Sequence, residues 1–90
     1  LDSDKICHPT IYKKHNNFFM YVSHRNKRYK LGLLKSSDLY NWKLINHNIF
    51  KTTHKGELSY PRYYKFKNKN YLFFTGKKYG IGGIGYAKIR

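Results

Sequence analysis

Apolar positions fall in short blocks separated by polar, turn-forming clusters. Phe18-Phe19-Met20-Tyr21-Val22-Ser23 is a continuous apolar run between His15-Asn16-Asn17 and the basic stretch His24 to Arg28. Its length and flanks predict a strand buried on both faces. Thr10 to Lys13, opened by Pro9, predicts a shorter strand that pairs with it as a hairpin, because the missing N–H of proline is tolerable at a strand start. Tyr29 to Lys35 predicts a third strand, with Gly32 where another backbone or a bulky ring comes close. Ser36 to Asn41 reads as one helical turn with a Ser N-cap, leading into Trp42 to Ile45 as a fourth, outer strand. Asn46 to Gly56 has no period and reads as a crossing segment. Pro61 to Phe66, Asn70 to Thr75 and Ile84 to Ile89 then predict three more strands, the last two separated by a glycine-rich turn from Gly76 to Gly83. No segment holds a 3.6-residue apolar period for more than about one turn, so the pattern is all-β.

The blocks repeat. His8-Pro9-Thr10-Ile11-Tyr12-Lys13 returns 52 residues later as Tyr60-Pro61-Arg62-Tyr63-Tyr64-Lys65, and Phe18 to Ser23 returns as Asn70 to Thr75. After a loop one residue longer, Leu31-Gly32-Leu33-Leu34-Lys35 returns as Ile84-Gly85-Tyr86-Ala87-Lys88. Short strands recurring at about this period are the signature of propeller blades. The expected division is a four-stranded blade over residues 1–50 and a three-stranded, closing blade over 51–90. Such a blade leaves its strand edges unpaired, which promotes association.

Size and composition sharpen this picture. Ninety residues make at most one thin-cored domain, and an aromatic content of 19% favours strands over helices. The formal charge of +15 suggests a polyanionic partner, but Lys, Asn, Tyr, Phe and Ile rise together, as a strongly AT-rich genome would produce. The single cysteine, Cys7, excludes an internal disulfide and a cysteine-based zinc site. Placed beside a strand, it reads as a packed thiol. No apolar run has transmembrane length and no signal-peptide hydrophobic region is visible, which leaves localisation open. The first residue is Leu1 rather than Met, which suggests residues upstream or processing.

Pro9-x-Ile11 followed by Phe19-Met20-Tyr21-x-Ser23, then Leu31-Gly32-Leu33-x-x-Ser36-x-Asp38-Leu39-x-x-Trp42, resembles a blade of the five-bladed propellers of glycoside hydrolase families 43 and 32. Glu57 to Pro61, Phe73-Phe74-Thr75-Gly76 and Gly83 to Ala87 resemble the closing blade of that group. The resemblance implies about two antiparallel, C-terminal blades of a partial propeller. Families of this kind usually place a catalytic Asp directly before a blade-opening Pro, where this chain has His8 and Tyr60. A full ring would need about 250 to 300 residues, so the expected partners are the remaining blades or further copies of the chain.

In a propeller the innermost strand of each blade lines the central channel, which makes Asp4, His8, Glu57 and Tyr60 the pocket candidates. Asp4 lies five residues before Pro9 and Glu57 four before Pro61. Glycoside hydrolysis needs two opposed carboxyl groups about 5 to 10 Å apart, and this is the one pair of acids placed to supply them. Pocket hydrogen bonding without catalysis is the plainer role for both. His8, His24, Arg25 and Tyr60 are candidate substrate-binding residues; the arginine suits an anionic sugar or phosphate. Structural alternatives are a satisfied histidine at a strand start and solvated turn residues. Asp38 reads as a turn clamp taking backbone N–H bonds, with Trp42 packed beneath.

The five histidines show no i, i+2 or i, i+4 pairing, so no metal site is expected, and no cofactor. Gly80-Ile81-Gly82-Gly83-Ile84-Gly85 opens no helix and reads as a turn rather than a phosphate loop. A nucleic-acid-binding module is the alternative class: Arg25, Lys27, Arg28 and Lys30, then Lys65, Lys67 and Lys69, then Lys77 and Lys78 form basic clusters. These fall mainly in predicted turns while the aromatics fall in strands, and such a module has no reason to repeat at blade length.

Overall fold

In the computed structural model, residues 5–26, 28–50, 58–76 and 84–89 are described, and they form seven strands and no helix. Among the described residues the structure is all-β, built of two antiparallel sheets. β1 (Lys5–Lys14), β2 (Asn17–Asn26), β3 (Arg28–Ser36) and β4 (Lys43–Asn46) lie in sequence order in the first. β5 (Ser59–Phe66), β6 (Lys69–Thr75) and β7 (Ile84–Ile89) make the second in the same manner.

The repeat extends to register and dihedral angles. Tyr12 pairs with Phe19 and Ile11 with Met20 in the first sheet; Tyr64 pairs with Tyr71 and Tyr63 with Leu72 in the second. Both hairpins close through two residues of positive φ, His15 (51°) and Asn16 (64°) in one, Lys67 (48°) and Asn68 (60°) in the other. Positive φ at both central positions matches the right-handed twist of the flanking strands and fixes the register.

Two local expectations need correction. The segment from Ser36 to Asn41 is a pair of side-chain-closed bends instead of a helical turn. Ser36 Oγ accepts from the Asp38 and Leu39 amides at 3.1 and 2.9 Å, and Asp38 Oδ1 accepts from the Tyr40 and Asn41 amides, both at 2.9 Å. With those amides taken by side chains and Leu39 at φ 72°, right-handed helix cannot propagate. The Trp42 indole then donates to the Leu39 carbonyl at 3.0 Å. Pro9 does not open its strand either. β1 begins at Lys5, and Pro9 sits inside it at a register shift between Cys7 and Thr10, where no ladder N–H is required.

The sheets pack through one face each. Alternation puts Tyr12, Tyr21 and Leu31 of the first against Leu72 of the second, at 8, 5, 1 and 0% exposure, with Phe19, Leu33, Tyr63, Phe74 and Ile89 around them. Tyr12 stacks on Tyr63 at 4.4 Å between ring centroids and 9° between planes. Burial pushes the Tyr12 and Tyr21 phenols above their ordinary pKa, so both stay neutral. Polar bonds set the alignment: the Tyr63 amide donates to Thr10 Oγ1 at 3.1 Å and the Tyr60 amide to the buried Ser23 Oγ at 2.9 Å. Beyond β4, Ile49 and Leu58 lie along the edge of β3, their amides donating to the Leu31 and Tyr29 carbonyls.

Leu72 is the fully buried member of the second sheet in this seam. Leu72→Ala is expected to cost about 2–5 kcal/mol, a large part of the stability of so small a domain. Urea denaturation followed by tyrosine fluorescence and far-UV circular dichroism measures it, and both signals should move to lower urea together.

Candidate functional site

The two sheets present the same irregularity side by side. In β1, His8 and Pro9 face a single partner position between Cys7↔Ser23 and Thr10↔Tyr21; in β5, Tyr60 and Pro61 do so between Ser59↔Thr75 and Arg62↔Phe73. Each is a β-bulge, which bends the strand and re-aims a side chain. His8 has φ 54° and Tyr60 φ 55°, a left-handed backbone that residues other than glycine seldom adopt, and seldom before proline. Such a conformation costs on the order of 1–3 kcal/mol, and its duplication at one position of the repeat marks a constrained place in the fold.

The bulges turn the His8 and Tyr60 rings toward each other, 4.3 Å apart and inclined at 49°. Around them lies a cavity of about 230 Å³ lined by His8, Pro9, Tyr60, Pro61 and Arg62. Pro61 is fully buried and makes its floor rigid, while His8 and Arg62 are exposed and Tyr60 half-buried. The site therefore combines two tilted rings, a cation and an apolar base. Arg62 was absent from the sequence expectations, although it follows Pro61 in the repeat where Thr10 follows Pro9.

The remaining expected residues are placed elsewhere or not described. Asp4 and Glu57 lie outside the described residues, as do Lys27, Lys77, Lys78 and the glycine-rich turn up to Gly83. Arg25 is half-buried with its guanidinium 5.7 Å from the Tyr29 ring centroid and does not line the cavity. His24, expected at the rim, is 3% exposed. The loop at His47 closes against it, and its Nε2 lies 2.5 Å from the His47 carbonyl oxygen. Its ring also fills the space over Gly32, where a Cβ would meet His24 Cδ2 at 3.2 Å. Among the described residues no group of three His, Cys, Asp or Glu could hold a metal ion, and no helix is long and apolar enough to cross a membrane. Cys7 is a half-buried free thiol. The hydrogen bonds to Asp38 hold its carboxyl well below the usual carboxylate range, so this exposed acid stays ionised within its turn.

No protein-family model matches the chain, and no curated protein matches it significantly. Among solved structures it is similar to the native arabinanase Arb43A of Bacillus subtilis, with a TM-score of 0.74 and 20% identity over 97% of this chain. The chain spans 34% of the length of that protein. The likeness establishes the fold alone, that of part of a five-bladed β-propeller.

His24 generates a pH prediction. Burial lowers its pKa from 6.5; the His47 carbonyl opposes this, and the Lys30 charge adds to it. A histidine held neutral in the folded state contributes stability above its unfolded pKa that is lost as the pH falls, because only the unfolded chain protonates readily. Stability should therefore decline below about pH 6.5, and His24→Gln should flatten that part of the profile. Thermal melts between pH 8 and 5 check this; parallel profiles for both proteins would contradict it.

Proposed function

We propose that the chain serves carbohydrate recognition at the hub of a glycosidase-like propeller. The observation that carries this reading is the twin bulge: two blades spend backbone strain on aiming His8 and Tyr60 into one cavity beside Arg62. A tilted aromatic pair offers C–H faces of a sugar ring an apolar wall, and a guanidinium donates up to five hydrogen bonds to ring and exocyclic oxygens. A cavity of about 230 Å³ suits one pyranose or furanose unit. Asp4 and Glu57 precede the two bulges in the sequence and are proposed as acceptors for sugar hydroxyls. They are also the pair from which hydrolysis would need one protonated acid and one ionised carboxylate.

Because one similar solved structure is an arabinanase, arabino-oligosaccharides are the first ligands to test. Binding measured by calorimetry should fall about tenfold or more in Tyr60→Ala and in Arg62→Ala, a loss of ~1.4 kcal/mol or more. Glu57→Gln and Asp4→Asn should weaken it as well. Release of a chromogenic arabinoside, abolished by Glu57→Gln, would extend the role from binding to catalysis. A glycan array with no ligand, or binding indifferent to all four substitutions, would remove the proposal.

A further inference from the structure

The second sheet has an outer face that the described residues leave uncovered. Register places Tyr64 of β5, Tyr71 and Phe73 of β6, and Tyr86 and Ile84 of β7 on it. Tyr64, Phe73, Ile84 and Tyr86 are 58, 39, 79 and 68% exposed, and with Phe66 the aromatics line an apolar cavity of about 190 Å³. A contiguous apolar surface of this kind on a protein of formal charge +15 calls for an occupant.

The internal repeat identifies it. In the first copy the positions equivalent to Tyr64, Phe73 and Ile84 are Tyr12, Tyr21 and Leu31, which are the buried core. What buries them is the opposite face of the next sheet, through Tyr63, Leu72 and Phe74. The outer face of the second sheet is thus equivalent to the docking surface buried in the first. The equivalents of Tyr63 and Leu72 in the first sheet are Ile11 and Met20, paired with each other on that sheet's own outer face, where Ile11 is 45% exposed.

The geometry points to head-to-tail association of this chain with a second copy. The β5–β7 face of one molecule seats the Ile11–Met20 face of the next, and so continues the seam already formed within each molecule. The two surfaces differ, so the contact is heterologous and builds a ring or an open chain according to the rotation at each step. Equivalence also specifies contacts. Tyr64 meets Ile11 of the next copy as Tyr12 meets Tyr63, and Thr75 faces the amide of its His8 as Ser23 faces Tyr60. Arg62, Lys69 and Lys88 share the accepting face by register and Lys13 the entering one, so like charges meet. Salt should therefore strengthen this association by screening, whereas binding of the same aromatic face to single-stranded nucleic acid would weaken with salt.

Sedimentation velocity across rising protein and salt concentration tests it, with Phe73→Ser/Tyr86→Ser as the disrupting variant and circular dichroism as the control for folding. Thiol cross-linking in a Cys7→Ser background sets the polarity, by mixing Ile11→Cys and Tyr64→Cys proteins with a short bismaleimide. The expected results are salt-promoted oligomers lost in the double variant, and cross-links in the mixture that neither single-cysteine protein forms alone. Three results would overturn the inference: a monomer at every salt concentration, Tyr64→Cys protein cross-linking to itself, or a monomer that binds oligonucleotides through Phe73 and Tyr86.

Discussion

The fold depends on the seam where β5 lies against β1 and β2. Neither sheet is self-sufficient: the first has Tyr12, Tyr21 and Leu31 to bury, and the second has Leu72. An apolar seam between two twisted sheets is non-directional and would tolerate sliding. What prevents sliding is a pair of hydroxyl acceptors on the first sheet, Thr10 and Ser23, each taking an amide of β5. Ser23 is fully buried, so its bond is made in a low-dielectric setting where losing it leaves polar groups unsatisfied.

That alignment is also what makes a site. The amide bound to Ser23 belongs to Tyr60, the residue at the bulge, so the bond that sets the sheets in register also fixes the bulged backbone that turns the Tyr60 ring toward His8. Proline at the next position in both copies removes an N–H that the bulge could not satisfy. Strain at Tyr60 is held between the buried Ser59 and Pro61. A shift of one residue at the seam would separate the two rings and dismantle the cavity.

Much of this was legible in the sequence, because strand periodicity, paired turn residues and the duplicated Pro are local signals. The strand count, both hairpins and the partition into two sheets follow from them. The failures have physical causes. Ser36 and Asp38 are common to helix N-caps and to side-chain-closed bends, and only the positive φ of Leu39 separates the two. His24 sits at a polar, basic stretch that reads as exposed, yet it is buried and bonded to the His47 carbonyl, a contact 23 residues away. Arg62 was hidden inside a strand pattern, since nothing local announces that a bulge will turn its surroundings into a cavity wall. The positive φ of Tyr60 likewise accompanies a tertiary contact, its amide's bond to Ser23 across the seam.

The most direct test of this account is amide hydrogen exchange resolved by residue, read at Tyr60 and Tyr63. Neither amide is explained by pairing within its own sheet alone, and each is bonded to the opposite sheet's hydroxyl. If the two halves are successive sectors locked through that seam, both amides exchange as slowly as those of β2 at the centre of the first sheet. Rapid exchange at both, with β2 still protected, would mean the sheets fold apart and would contradict the account.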